Sequence, residues 1–197
     1  VIYKVTTEPT LEPVTLAEAC SHMRVNVGDD DTYITRLIKG ARQYTEDTAT
    51  GRALITQTRD GYMDAFPNIR FIELPGPPLQ STGMSVKYKD SVGVEATMPS
   101  TDYLVDTVTE PGRIVLKTGK IWPSFTPEVA NAITIRYICG YGTAAANVPE
   151  PIRQAMLILI AHMYEAREIF VLGTKLLDVP MSYWALLAEF RMDGFGN

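Results

Sequence analysis

The sequence is poor in the residues that most directly carry site chemistry. Two cysteines, Cys20 and Cys139, are too few for a disulfide scaffold. Two histidines, His22 and His162, leave little room for histidine-based catalysis or metal binding. Basic residues are outnumbered, 18 Lys and Arg against 23 Asp and Glu, for a net charge of −5. That balance makes the chain a poor candidate for tight, sequence-independent binding of nucleic acid, which needs cations to displace phosphate counterions. It also excludes a polybasic membrane anchor. No basic block relieves the deficit: residues 1–51 hold 5 basic and 8 acidic side chains, 52–120 hold 8 of each, and 121–197 hold 5 and 7. Long apolar runs are missing too. The best, Ala155–Met163, is about half of the roughly 20 residues a membrane-spanning helix needs, so no membrane partner is expected. The first residues, Val1-Ile2-Tyr3-Lys4-Val5, do not read as a signal peptide, and reduced thiols in a cytosolic setting are expected.

What remains is an ordinary folding composition, 46% hydrophobic and 21% charged over 197 residues. A chain of this length buries about 70% of its unfolded surface and needs no covalent staple. The N-terminal part reads as helix. Thr15-Leu16-Ala17-Glu18 has capping-box spacing, and Leu16, Ala19, Cys20 and Met23 share one face behind it. Asp29-Asp30-Asp31 suits the start of a second helix, with Ile34, Leu37, Ile38, Ala41 and Tyr44 in helical register and Gly51 as its stop. From Arg52 to Tyr141 the pattern alternates between β-branched segments and Gly/Pro turns. Strands are expected over 53–58, 69–74, 84–88, 103–105, 113–116 and 132–138, with Pro75–Pro78 a stiff extended crossing. Helix returns after Gly140-Tyr141-Gly142. The stretch Ile152–Glu168 is apolar almost all round, which demands burial in the core or against another subunit. Ser182 is placed to cap a last short helix carrying Trp184, Leu187 and Phe190.

The fold class expected is therefore α+β: a small helical bundle of N- and C-terminal helices with a β-rich antiparallel insertion in the middle. Its segments are 1–51, 52–141 and 142–197, the last ending in a tail-like segment.

Candidate chemistry is thin. Cys20 and His22 lie two residues apart on a helix and point in different directions, so with Cys139 and His162 they read as separate buried residues, not zinc ligands. His162 and Glu165 stand at i, i+3, but no nucleophile elbow or phosphate loop accompanies them. Asp29-Asp30-Asp31 lacks the alternating ligand pattern of a calcium loop and reads as a solvated cap. Gly140-Tyr141-Gly142 lacks the third glycine of a dinucleotide site and reads as a strand-to-helix turn. No catalytic, cofactor-binding or metal site is expected. The remaining signal is aromatic: Tyr183, Trp184, Phe190 and Phe195 crowd the C-terminal segment, where such side chains either anchor a partner or pack on the bundle.

The ordered set of local motifs resembles the head–tail connector (adaptor) proteins of tailed phages and of phage-derived gene transfer agents. The segments that carry the resemblance are PVTLAEA at 13–19, GRALITQT at 51–58, LPGPPLQS at 74–81 and PGRIV at 111–115. They continue with GYG at 140–142, VPEPIRQA at 148–155, HMYEARE at 162–168 and ALLAEFR at 185–191. Glu189-Phe190 departs from the family, where Pro-Tyr is usual. The resemblance implies a non-enzymatic virion protein at the head–tail neck, present in the host cytoplasm during assembly. It implies a homo-oligomeric ring, commonly a dodecamer, beneath the portal protein. Such a ring lengthens the DNA channel, lets DNA pass without specific binding and docks a tail-proximal stopper or tail component. It also implies that the C-terminal segment contacts the portal, so Met181, Tyr183, Trp184, Leu187, Phe190 and Phe195 are the expected interface. Deleting 181–197 is expected to leave most of the fold and abolish docking. The alternative reading is a small soluble ligand-binding module or enzyme that uses the β-rich region, and a DNA-binding packaging accessory is a more distant third.

Overall fold

The structure, a computed structural model, describes residues 1–166 and 179–192. The chain divides into two units. Residues 1–9 and 56–141 form a β-rich unit; Thr10–Ile55 and the chain from Gly142 onward form a helical one. The fold is α+β with a β-rich middle, as the sequence predicts. The N-terminus differs from expectation. Ile2–Thr7 is a strand, β1, so the first nine residues belong with the β-rich unit and not with the helices. Five of its six residues, Ile2, Tyr3, Val5, Thr6 and Thr7, are β-branched or aromatic, the composition of a strand, and its side chains alternate at first between exposed and half-buried.

In the β-rich unit the other strands are β2 (Gln57–Met63), β3 (Phe71–Glu73), β4 (Ser85–Lys89), β5 (Glu95–Thr97), β6 (Tyr103–Asp106), β7 (Arg113–Leu116) and β8 (Ile133–Cys139). One sheet has the order β1-β2-β8-β4-β5 and the other β3-β7-β6, with every pairing antiparallel. β8 is central because its sequence alternates strictly. Ile133, Ile135, Tyr137 and Cys139 are buried, while Arg136 on the other face is exposed and forks onto Asp60 of β2 through two 2.8 Å bonds. β2 sends Arg59 inward, opposite Tyr137, and its guanidinium lies over the Tyr3 ring at 4.2 Å. Gly76 covers that cation: it has φ +83°, and a Cβ there would come within 2.0 Å of Arg59 Nη1. Pro75–Pro78 is therefore a bend, with the Pro77–Pro78 peptide cis, and not the extended crossing the prolines suggest. The Tyr137 hydroxyl donates to the Pro75 carbonyl at 2.9 Å, and burial pushes this phenol's pKa up.

The helical unit holds α1 (Leu16–Met23), α2 (Asp31–Tyr44), α3 (Glu150–Glu165) and α4 (Met181–Leu187). The capping box forms as expected: the Glu18 amide donates to Thr15 Oγ1 at 3.2 Å and the Thr15 amide donates to Glu18 Oε2 at 2.7 Å. That backbone bond, more than any other influence, holds the Glu18 carboxyl below its ordinary range, and Arg153 of α3 adds to it. Arg153 also donates to the Pro13 carbonyl at 3.0 Å, so one guanidinium ties α3 to the lead-in of α1. The start of α2 is not capped as predicted. Asp30 is the N-cap residue but makes no side-chain cap bond; its carboxylate accepts from the Tyr164 hydroxyl at 2.7 Å, and Asp31 accepts from the Gly28 amide. Likewise Pro180, and not Ser182, precedes α4. α3 buries Ile152, Ala155, Met156, Leu159 and Ile160, and packs against α1, α2 and α4. Leu157, Ile158 and Ala161, on its other side, stay half-buried.

Candidate partner interface

The last turn of α2 opens into a π-helical turn, Thr45–Thr50, which ends at Gly51 with φ +72°. A buried polar network shapes it. Arg42 and Glu46 are paired at 2.8 Å with side chains only 3% and 4% exposed, and Arg42 Nε also reaches Glu12 at 2.7 Å. The second Glu46 oxygen accepts from the Leu54 amide at 2.8 Å, and Thr50 Oγ1 donates to the Thr45 carbonyl at 2.8 Å. Every group in this network meets a partner, which is what makes burying its charges tolerable. Sequence reasoning missed it, although Arg42 and Glu46 at i, i+4 give a usable signal.

This turn is the seat of the C-terminal segment. Thr45 Oγ1 and the Tyr183 hydroxyl are 3.0 Å apart, Arg52 Nε donates to the Phe190 carbonyl at 2.6 Å, and the Met192 amide donates to the Thr50 carbonyl at 3.0 Å. Tyr44, Tyr183 and Trp184 form an aromatic cluster with centroids 5.1 to 6.4 Å apart, and the Arg191 guanidinium lies 5.8 Å from the Trp184 ring. Burial pushes the Tyr183 phenol's pKa up. Of the residues expected at a partner interface, Tyr183 and Leu187 are fully buried within this unit. Trp184 and Phe190 are half-buried, and Met181 is 87% exposed. Phe195 lies outside the described residues. Removing 181–197 would take the buried Tyr183 and Leu187 from the helical unit, so the expected survival of most of the fold would come at a cost in stability.

The β-rich unit carries an open cleft of about 710 Å³ between the 65–70 segment and the 116–127 loop. Phe66 and Trp122 stack face to face at 5.1 Å, and Phe125 packs on Tyr88 at 4.9 Å. The Trp122 indole N–H donates to the Ile69 carbonyl at 2.7 Å, which fixes the wall. Ile69 and Ile121 stand exposed on the lining, and its charged residues are the cations Arg70 and Lys120. Nothing in the sequence reading singles out this cleft, yet Phe66-Pro67 and Trp122-Pro123-Ser124-Phe125 are its signature in hindsight.

The candidate chemistry stays dispersed. No hydrogen bond joins His162 to Glu165, and Cys20 and Cys139 are buried in different units with no disulfide between them. Burial raises the pKa of Cys20. Among the described residues, no group of three or more His, Cys, Asp or Glu side chains is placed to hold a metal. No helix among them is long and apolar enough to cross a membrane.

Solved structures share this fold. The chain matches one in the neck of an empty gene transfer agent particle computed with C6 symmetry, with TM-score 0.78 and 20% identity over 97% of this chain and 95% of that one. It matches one in the virion of a native gene transfer agent particle at 0.77, with 20% identity and the same coverage. A third match, at 0.73 and 19% identity, is in the neck of a native particle computed with C12 symmetry. No protein-family model and no curated protein matches the chain.

Proposed function

We propose that this chain is a non-enzymatic structural adaptor in the neck of a tailed phage or gene transfer agent particle. The observation that carries the reading is the shared fold over 97% of the chain with components of such particles. Copies form a ring between the portal and the tail, extend the DNA channel and seat the next tail-side component. Two of the similar structures come from necks with sixfold and twelvefold symmetry, which supports a cyclic assembly. The net charge of −5 suits a wall past which DNA must slide, since a cationic lining would hold the phosphates.

The C-terminal segment is the portal-facing element of this proposal. Its buried side chains, Tyr183 and Leu187, hold α4 on its seat, leaving Met181 and the open sides of Trp184 and Phe190 to meet the portal. Electron microscopy of purified particles, with the chain labelled by a fused tag, is expected to show a ring of copies at the neck. Label confined to tail fibres or to the capsid interior would overturn the reading. Met181→Glu, a change at an exposed position, is expected to lower occupancy at the portal while leaving the chain's circular dichroism unchanged.

A further inference from the structure

The three-stranded sheet has two unlike ends. At one end, where β3 begins and β7 finishes, lies the aromatic cleft, with exposed Ile69 and Ile121 and the cations Arg70, Lys117 and Lys120; Lys120 is paired with Asp102 at 2.6 Å, and three cations against one carboxylate leave this end basic. At the other end lies the β6–β7 loop, with Glu73, Asp106 and Glu110, and with Val108 at its tip, 90% exposed; Asp106 is paired with Arg113 at 2.9 Å, and three carboxylates against one guanidinium leave this end acidic. The register sets these ends apart, since Tyr103 pairs with Leu116 at the cleft end and Asp106 with Arg113 at the loop end. Three residue steps at ~3.3 Å each separate them by about 10 Å.

The loop is built to hold its shape. One carboxylate, that of Asp106, accepts from the Val108 amide at 3.0 Å, the Thr109 amide at 3.3 Å, the Thr109 hydroxyl at 3.0 Å and Arg113 Nε at 2.9 Å. A surface loop ordered by four bonds to a single side chain presents its apolar tip with little left to lose in entropy on binding. The cleft is fixed in the same way, by the Trp122 bond to Ile69 and by Arg70 donating to the Leu116 and Lys117 carbonyls.

An acidic end with an apolar tip and a basic end with an apolar cleft, on one rigid sheet, are the two halves of a head-to-tail contact. We propose that the β6–β7 loop of one copy enters the aromatic cleft of the next. Val108 lies against Ile69 and Ile121, and the acidic end of one sheet faces the basic end of its neighbour. Loop and cleft sit at opposite ends of one sheet, so the contact repeats from copy to copy and closes into a ring when the rotation allows. This deepens the adaptor reading and rests on the ring it proposes.

The test uses particles assembled in their producing host from full-length chains carrying Val108→Cys and Ile121→Cys. Both positions are exposed, 90% and 80%, so folding is spared, and the native Cys20 and Cys139 are buried. Mild oxidation followed by a non-reducing gel reads the contact, and electron microscopy of the neck reads the ring. A neck ring that yields disulfide-linked multimers is expected, with none from a control pairing Val108→Cys with Val27→Cys in the helical unit. A neck ring without multimers, or equal multimers from the control, would overturn the loop-in-cleft contact and leave the adaptor reading standing. Necks that lack the chain would overturn both. Val108→Lys is a second probe: it places a cation in an apolar cleft whose charged residues are the cations Arg70 and Lys120, and is expected to cut incorporation on the order of tenfold. Its unaltered incorporation would also overturn the contact.

Discussion

The helical and the β-rich units treat their sticky surface in opposite ways. Of the large apolar side chains exposed among the described residues, Leu11, Val27 and Met181 belong to the helical unit, while Val1, Ile2, Ile69, Val92, Val94, Leu104, Val108, Ile121 and Val129 belong to the β-rich one. The helical unit folds its C-terminal aromatics onto itself and locks them with buried polar bonds. The β-rich unit keeps apolar tips and an aromatic cleft outside. The lesson is that aromatic content in a sequence does not by itself locate an interface. Tyr183 and Leu187 of the crowded C-terminal segment are internal packing, which leaves only part of that segment open, whereas the sparser apolar residues of the β-rich loops stand exposed.

The contrast breaks most sharply at the buried ion pair. Glu46→Ala takes from the buried Arg42 guanidinium one of its carboxylate partners, leaving Glu12, and takes from the Leu54 amide its acceptor. It is expected to cost about 3–5 kcal/mol, read as a lower urea midpoint. Glu46→Gln keeps an acceptor for the Leu54 amide and should cost less. A loss under about 1 kcal/mol for the alanine variant would mean that the seat of the C-terminal segment does not depend on this network. Next in size is Leu187→Ala. This side chain is fully buried, and its truncation is expected to cost about 2–5 kcal/mol. A cost within about 0.5 kcal/mol would return α4 to the exposed, partner-seeking role that its sequence suggests.

How much of this was legible beforehand follows from what kind of signal each element carries. The capping box of α1 and the stop at Gly51 are local events, fixed by residues within a few positions of each other, and both stand where the sequence puts them. β7 is found at its predicted bounds because Arg113–Leu116 alternates between turn signals. β5 is missed because a three-residue edge strand, Glu95–Thr97, carries almost no apolar pattern of its own, whereas β1 had a local signal in its β-branched and aromatic residues. Strand β2 was expected over 53–58 but begins only at Gln57, residues 53–56 being irregular, and it runs on to Met63 through Arg59, Asp60 and Gly61, which read as polar loop. They become strand through the Tyr3 ring, the Arg136 fork and close packing that only the sheet supplies. Which way the C-terminal aromatic side chains face was not legible, because it is decided by residues such as Thr45 and Arg52, over a hundred positions away.

On the other side of the comparison, substitutions at the β-rich loops should leave stability nearly untouched. Val108→Ser is expected to shift unfolding by no more than about 0.5 kcal/mol, since its side chain already stands in water. A larger loss would mean that the tip is part of the fold and not a surface held ready for a partner.

The smallest expected effect is on the loop's pH dependence, and it tests whether the tip is held by Asp106. The backbone amide of Val108 does most to lower that carboxyl, followed by Arg113 and the Thr109 amide, taking it from an ordinary 3.8 to about 2. A carboxyl lowered on folding contributes stability that is fully present above its unfolded pKa and is lost as pH falls through the folded one. The loop should therefore be intact at neutral pH and down to about pH 4, then loosen between 3.8 and about 2. Amide resonances of Val108 and Thr109 followed by NMR should titrate together in that window. In Asp106→Asn, which keeps an acceptor oxygen but no titrating charge, the same resonances should lose the transition. Amides that titrate at the ordinary aspartate value would show the carboxylate to be solvated, and with that the rigid presentation of Val108, on which the loop-to-cleft contact depends, would have no basis.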